Sequence, residues 1–431
     1  MVNYRESRMN LRAGPAEPDL GSRKPGHYDS NKIKPITILR CEAGMSEREA
    51  LDHEAALLPA SIPSSAAMQV PNCALENRRQ SVLSASTDEW NTWIAQRGHP
   101  AYRTQQLLRW IIRRRAVSFE QMSDIPRLLR QQLAAEWTVF GTEVFYHDVA
   151  PDGTEKLVLK CADGRMIECV LMAEGSRRTV CLSTQVGCGM GCVFCASGLK
   201  GVERNLGTDE ILEQVLRLRN LLPDEETITH VVVMGMGESL ANLDNLIAAL
   251  DRLCSTDDGL GISQRRVTVS TVGLPDKIRK FAALNRQYHL AVSLHAPTEA
   301  LRNTLVPVNE SIGIEAILAA ADAYFRQTGR QVTYEYVLLR GINDRRTDAI
   351  ALSRLLSTRR AHVNLIPYNA VAGLSFERPQ AEAINRFVEI LRDANVSVTV
   401  RKTKGRTIDA ACGQLRRRVG RDDDNQVLVR I

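Results

Sequence analysis

No run of apolar residues in the chain approaches the roughly 18–20 that a membrane span needs, and the first residues, MVNYRESRMNLRAG, lack the apolar stretch of a secretory signal. The expectation is a cytoplasmic protein with no membrane partner. A charge excess is also missing. The sequence carries 56 Lys and Arg against 50 Asp and Glu, a net +6, too small to identify a nucleic-acid partner without knowing where the charge sits. Hydrophobic residues at 44% and charged residues at 25% exclude both a disordered chain and a fibrous repeat. In a reducing compartment the ten cysteines do not form a disulfide framework, so clustered ones read as metal ligands or reactive thiols. At about 100–200 residues per domain, 431 residues leave room for two or three domains.

Composition divides the chain. Residues 1–85 are rich in Pro, Ser, Ala and charge, as in GPAEPDLGSRKPG and LLPASIPSSAA, and show no sustained period, which predicts a flexible extension. Residues 86–150 are expected to form a helical, basic accessory domain. Ser86-Thr-Asp-Glu89 is a capping box ahead of a helix carrying Trp90, Trp93 and Ile94. Tyr102–Arg115 and about 126–137 read as two more helices. Between Arg97 and Arg130 stand eight arginines against two acids, Glu120 and Asp124, the pattern of either a solvated helix face or a phosphate-binding surface. Residues 151–178 read as a β-hairpin connector turning at Ala162-Asp163-Gly164. From 179 to 403, apolar runs alternate with amphipathic helical stretches: Thr179–Ser183, Thr229–Met236, Arg266–Ser270, His289–Leu294, Thr333–Leu339, His362–Pro367 and Ser397–Arg401. Such alternation predicts an α/β fold with a parallel sheet and right-handed crossovers, and about six units suggest a partial (β/α)6 barrel. Residues 404–431 form a C-terminal segment.

The sharpest local signal is Cys188-Gly-Met-Gly-Cys192-Val-Phe-Cys195. At this cysteine frequency chance produces a C-x3-C-x2-C spacing about 0.005 times per chain. A zinc site would pair such a run with a second Cys or His pair, and none follows. Three thiolates in one tight loop suit a [4Fe–4S] cube with one iron open to substrate. A zinc knuckle is the alternative reading. The spacing is that of radical S-adenosylmethionine (SAM) enzymes.

Further strings carry a resemblance: Leu107-Leu-Arg-Trp-Ile-Ile, Cys181-Leu-Ser-Thr-Gln-Val-Gly-Cys188, Met234-Gly-Met-Gly-Glu238, Val269-Ser-Thr-Val-Gly273, Leu290-Ala-Val-Ser-Leu-His-Ala296, Leu301-Arg-Asn-Thr-Leu-Val-Pro-Val-Asn309, Asn364-Leu-Ile-Pro-Tyr-Asn369 and Asp409-Ala-Ala-Cys-Gly-Gln-Leu415. From about Ser86 to Arg416 the chain resembles the RlmN/Cfr family of radical-SAM RNA adenine methyltransferases, most nearly its RlmN branch. It departs from that pattern at Ser239 and Ala370, where the family usually has proline, and at Val272.

The resemblance implies a radical-SAM barrel, a [4Fe–4S] cluster on Cys188, Cys192 and Cys195, and a SAM pocket lined by Gly237, Glu238, Ser270, Ser293, Leu294, His295 and Asn369. It implies that Cys412 carries a methyl group, that Cys181 resolves the adduct through a transient disulfide, and that Glu168 accepts a proton. The implied reaction is methylation at C2 of an adenine, adenine 2503 of 23S ribosomal RNA and adenine 37 of transfer RNA. C2 lies between two ring nitrogens and is electron-poor, which is why a covalent carrier and radical chemistry are needed. The implied partners are these RNAs and an electron donor such as a flavodoxin or ferredoxin, with the enzyme acting as a monomer. The eight Lys and Arg between Arg401 and Arg421 flank Cys412 and, with the arginines of 97–130, would make a two-sided cradle for phosphates. Methylation at C8 by the same machinery, and a non-catalytic iron–sulfur RNA-binding protein, are the rival readings.

Overall fold

A computed structural model describes residues 79–415. Most of the expected flexible extension, and the arginines at 416–418 and 421, lie outside the described residues.

The helical domain begins earlier than composition suggests. β1 (Gln80–Ser81) leads into a single turn at Val82–Ser84, and Val82 and Leu83 are fully buried. Five residues are too few to show a period, so this anchor is hidden in the Ser- and Ala-rich stretch. The Ser86 capping box is present at the start of α1 (Thr87–Gln96): the Glu89 amide donates to Ser86 Oγ at 3.2 Å and the Ser86 amide to Glu89 Oε2 at 2.7 Å. α1 buries Trp90 and Ile94, α2 (Tyr102–Ile112) buries Leu107, Leu108, Ile111 and Ile112, and α3 (Arg127–Glu136) buries Leu129 and Leu133. β2 (Trp137–Thr138) pairs in parallel with β1. Three indoles, Trp90, Trp93 and Trp137, pack on one another with centroids 4.6–6.5 Å apart.

The arginine run is largely spent inside the protein. Arg97 pairs with Glu136, Arg114 with Asp124, and Arg103 and Arg130 donate to the carbonyls of Asp124 and Glu120. Arg113 reaches the carbonyl of Thr256, and Arg115 those of Leu222, Pro223 and Glu226. The last two fasten the helical domain to loops of the barrel. Arg109 and Arg127 remain exposed.

Residues 143–181 form an antiparallel meander: β3 (Glu143–Val149), β4 (Glu155–Lys160), β5 (Met166–Glu174) and β6 (Arg177–Cys181). The hairpin expected at 151–178 is present, but it is no separate connector. Its strands continue the parallel sheet, whose order from the far edge is β14-β13-β12-β11-β10-β9-β6-β5-β4-β3. β3 falls where only helix was expected, because an exposed edge strand has no buried face to impose alternation. The base of the cysteine loop is a small hairpin of β7 (Gln185–Gly187) and β8 (Val202–Asn205). Gly187 has φ +79° and a Cβ there would lie 2.1 Å from the Gly201 carbonyl oxygen, so only glycine fits.

The parallel strands and helices then alternate: α4 (Thr208–Arg219), β9 (His230–Val233), α5 (Leu243–Cys254), β10 (Val267–Thr271), α6 (Pro275–Ala283), β11 (His289–Ser293), α7 (Glu299–Leu305), α8 (Ile314–Thr328), β12 (Val332–Leu338), α9 (Arg346–Leu356), β13 (Ala361–Pro367), α10 (Ala381–Asp393) and β14 (Ser397–Val400). Each apolar run named from the sequence coincides with one of the seven parallel strands from β6 to β14. The fold is the expected partial α/β barrel. Among the described residues no helix is long and apolar enough to cross a membrane.

One side chain ties the strand ends together. Arg302, fully buried on α7, donates to the carbonyls of Leu294 (3.0 Å), Val272 (2.6 Å) and Ser293 (3.1 Å) and to Asn309 Oδ1. Burial lowers its pKa to about 10, so it stays charged at neutral pH. Replacing it by methionine keeps the apolar stem and strands these acceptors. Arg302→Met should lower the unfolding free energy by about 3 kcal/mol in urea titration, and a loss below about 1 kcal/mol would show that the clamp is dispensable.

Candidate active site

The polar motifs converge at the C-terminal ends of β9 to β13, where a parallel barrel places its chemistry. A cavity opens there. Its wall includes Cys188, Cys192, Cys195, Gly237, Glu238, Ser270, Ser293, His295, Asn369 and Cys412.

β9 ends at Val233, and the chain turns through Met234-Gly-Met-Gly to present Glu238. The Glu238 carboxylate is buried and accepts the amides of Leu240 (3.0 Å) and Val272 (2.7 Å). Burial raises its pKa, opposed by the Val272 amide, the Thr271 hydroxyl and the Leu240 amide. Each oxygen keeps acceptor capacity for a cation in the cavity. Gly237 has φ +107°, and a Cβ there would meet Gln185 atoms at 2.7–2.8 Å. What demands glycine is thus the approach of Gln185, whose Oε1 accepts the Glu238 amide at 2.8 Å.

Ser270 and Ser293 stand on adjacent strands with their hydroxyls 3.5 Å apart. His295 takes a left-handed backbone, φ +59°, and its ring is buried edge-on to Phe194 at 4.9 Å. The Val337 amide donates to Nδ1 at 3.1 Å, which puts the neutral ring's proton on Nε2. Burial, with a smaller contribution from Arg302, lowers the His295 pKa to about 3, so it acts as a neutral donor. Leu294 is brought elsewhere. Its side chain is in the main core, its amide donates to the Glu335 carbonyl at 3.0 Å, and its carbonyl accepts Arg302.

The three loop cysteines share the cavity wall, and burial raises all their pKa values, that of Cys188 to about 11. Among the described residues no group of three His, Cys, Asp or Glu stands as close as the ligands of a single metal ion. A cube offers a separate iron to each thiolate and needs them farther apart. Three free thiols on one wall of a mostly apolar cavity, facing a buried carboxylate, fit that group. Cluster assembly on these neutral thiols would release protons.

Cys412 arrives from the C-terminal segment, which is stitched to the cysteine loop. The Ala196 amide donates to the Gly413 carbonyl at 2.9 Å and the Ser197 hydroxyl to the Leu415 carbonyl at 2.6 Å. Asn369 Nδ2 donates to the Cys412 carbonyl at 3.4 Å, and Gln414 Nε2 to the Ala370 carbonyl at 2.8 Å. Asn369 therefore serves the segment as well as the cavity. A second, smaller cavity shares Asn369, Arg401 and Cys412 with the first and has Cys181 in its wall. Burial, with Cys412 nearby, raises the Cys181 thiol to about 12. Both thiols are free, as are all eight described cysteines, so the implied disulfide is not part of this structure.

Glu168 is not a surface charge. It is buried on β5 and pairs with the equally buried Lys156 of β4 at 3.8 Å, outside the lining of either cavity. Sequence reading passed over Glu335 and counted Arg401 only in the phosphate-binding stretch of the C-terminal segment, where the structure instead turns it into the cavity walls. The Arg401 guanidinium lines both cavities, and the charges of Cys412, Glu335 and Cys181 raise its pKa. Burial raises Glu335, opposed by Arg401 and Asn364. A carboxylate inside the apolar run Thr333–Leu339 was the signal that could have revealed it.

Comparison with known proteins agrees with this geometry. The radical SAM superfamily model matches residues 182–352, and the ribosomal RNA large subunit methyltransferase N-terminal domain matches residues 81–139. The probable dual-specificity RNA methyltransferase RlmN of Rhodopirellula baltica is 52% identical over 80% of this chain and 92% of its own length. Its namesake in Nostoc punctiforme is 44% identical over 78% and 93%. The crystal structure of a radical SAM methyltransferase from Sphaerobacter thermophilus superposes with TM-score 0.76 at 40% identity, covering 78% of this chain and 99% of that one. Radical SAM enzymes use a [4Fe–4S] cluster and SAM. With relatives this similar over nearly their whole length, the chain belongs to the RlmN family of radical-SAM RNA methyltransferases.

Proposed function

We propose that the protein methylates C2 of an adenine in 23S ribosomal RNA and in transfer RNA, carrying the methyl group on Cys412. The observation that carries this reading is the position of Cys412, which lines both the cavity of the three loop cysteines and the cavity of Cys181. A carrier must face the source of the radical and then the thiol that releases it, and a simple RNA-binding protein needs neither arrangement.

A [4Fe–4S] cluster on Cys188, Cys192 and Cys195, with SAM at its open iron, would supply the one-electron cleavage of SAM that activates an S-methyl group. Glu238 is placed to receive the SAM ammonium, with Gly237 shaping its turn. Ser270, Ser293, the His295 Nε2–H and Asn369 offer polar contacts, and Leu294 supports them from the core. Cys412 first takes a methyl group from one SAM: its S–C bond forms as the SAM S–CH3 bond breaks, and S-adenosylhomocysteine leaves. Once the activated carbon is joined to C2, Glu168 accepts the C2 proton, and the unpaired electron of the adduct would be given back to the cluster. Cys181, a neutral thiol in the resting structure, then gives up its proton and attacks Cys412 Sγ: the S–S bond forms, the S–C bond breaks, and its electron pair stays on carbon, which gains a proton to become the new methyl group. A dithiol reductant returns the pair to free thiols.

The target adenine must leave its stack to enter. Exposed Lys402 and Arg406 on the C-terminal segment, with Arg109 and Arg127 on the helical domain, supply the two phosphate-binding faces. Electrons come from a flavodoxin or ferredoxin, and the enzyme works as a monomer in the cytoplasm.

Nucleoside mass analysis of RNA treated with reconstituted enzyme and SAM tests the reading: 2-methyladenosine is expected, and 8-methyladenosine would assign the C8 reaction instead. Replacing any one of Cys188, Cys192 or Cys195 by alanine should abolish the brown chromophore and SAM cleavage together; a variant keeping both would refute the cluster ligands. The carrier cysteines should fail at different steps. Cys412→Ala should form no S-methyl group and no protein–RNA adduct, whereas Cys181→Ala should accumulate a nuclease-sensitive covalent adduct on denaturing gels. Normal turnover by Cys181→Ala would end the carrier assignment.

A further inference from the structure

The buried Lys156–Glu168 pair lies beside the cavities, and the meander that holds it is the surface on which the C-terminal segment docks. In the β4–β5 register Val158 faces Glu168 and Lys156 faces Val170, so Lys156 and Glu168 are diagonal neighbours on one face of the sheet. Lys156 Nζ stands 3.8 Å from Glu168 Oε1 and donates to the Asp409 carbonyl at 3.4 Å. Asp409 is three residues before Cys412 and has φ +51°. The same segment rests on this face: Ile408 and Ala410 pack with Val170 and Cys181, and the Gly405 amide donates to Asp152 Oδ2 at 3.0 Å.

We propose that Lys156 is a positioning residue that couples the charge of Glu168 to the docked carrier segment. This rests on the assignment of Glu168 as proton acceptor. A single ammonium contacts both the carboxylate and the backbone that leads to Cys412. With the segment docked, Lys156 compensates the buried carboxylate and keeps it ionised, ready for the C2 proton. When that proton arrives, the carboxylate becomes neutral and its attraction for the buried Lys156 ammonium is lost, which raises the cost of that cation. Passing the proton onward restores the pair.

Ionisable groups near the pair include Cys169, next to Glu168 on β5, and Cys181 on β6, with Asp409 reaching Lys156 through its backbone carbonyl. Burial raises both thiols, Cys181 to about 12 and Cys169 well above its ordinary value. They are neutral at working pH and do not replace the ammonium.

The test separates charge from docking in the full-length reconstituted enzyme. Lys156→Gln can still donate to the Asp409 carbonyl but carries no charge; Lys156→Met loses both contacts; Lys156→Arg keeps both. Two quantities are read: methylation of Cys412 by intact-protein mass, and the pH dependence of single-turnover RNA methylation. Lys156→Gln should methylate Cys412 normally while the acid limb of RNA methylation moves up by about one to three pH units. The direction follows because a buried carboxylate without its cation holds its proton more tightly. Lys156→Met should show the same displacement together with slowed Cys412 methylation, and Lys156→Arg should restore the wild-type profile. A Lys156→Gln profile that overlays wild type, or a loss of Cys412 methylation in step with product, overturns the proposal. If Lys156→Met does not fold, Lys156→Gln and Lys156→Arg decide it alone. Failure of the underlying assignment is read on a different variant, since normal RNA methylation by Glu168→Gln would remove Glu168 from the reaction.

Discussion

Two hydrogen bonds hold together parts of the chain more than 200 residues apart: the Ala196 amide to the Gly413 carbonyl, and the Ser197 hydroxyl to the Leu415 carbonyl. They join the cysteine loop directly to the segment that carries Cys412, beside the contacts made by Asn369 and Gln414. The rest of the structure serves this junction. Arg302 gathers the ends of β10 and β11, so that Glu238, Ser270, Ser293 and His295 face one space. The meander gives the segment a surface to rest on, where Ile408 and Ala410 pack against Val170 and Cys181. Backbone donors and acceptors are well suited to such a seam, because their positions do not depend on side-chain rotamers.

The cavity walls and the meander beside them carry more buried charge than a core could bear without compensation. Glu238 is matched by backbone amides, Glu335 by Asn364 and the field of Arg401, and Glu168 by Lys156. Each arrangement treats its carboxylate differently. Amide donors leave Glu238 with acceptor capacity toward the cavity, suited to binding a cation. A buried ammonium beside Glu168 compensates the carboxylate with a full opposite charge, and that suits the proposed change of charge during a cycle. Two carboxylates buried to a similar degree are thus suited to two tasks by the nature of their partners alone.

Legibility in the sequence follows the physics of each element. The parallel strands inside the sheet were readable because both their faces are covered, which makes them near-continuous apolar runs, and α1 was readable from the reciprocal hydrogen bonds of its capping box. β3 was not, since an edge strand with an exposed face leaves no periodic trace. Ser270 and His295 could be placed because motifs at strand ends share a side of the barrel whatever their neighbours are. The contacts of Asn369 and Leu294 could not, because they depend on where the C-terminal segment and Arg302 come to lie in space. The arginine run shows the limit most clearly: charge density along the chain cannot tell a phosphate-binding face from guanidinium groups used to join two domains, as Arg113 and Arg115 are.

Lys156 illustrates why such residues escape a reading of the sequence. At the start of Lys156-Leu-Val-Leu-Lys160 it has the place of an ordinary solvent-facing lysine, and β4 alone would be satisfied with it there. Its burial is imposed by a segment some 250 residues later, whose Asp409 carbonyl reaches it at 3.4 Å. A lysine buried in this way is costly unless both its charge and its protons are used, and the structure uses them toward different ends of the chain, the charge toward Glu168 and a proton toward the carrier segment. Any movement of that segment therefore changes the surroundings of the carboxylate, and any change in the carboxylate's charge alters how firmly the segment is held. The two effects are reciprocal, as binding linkage requires.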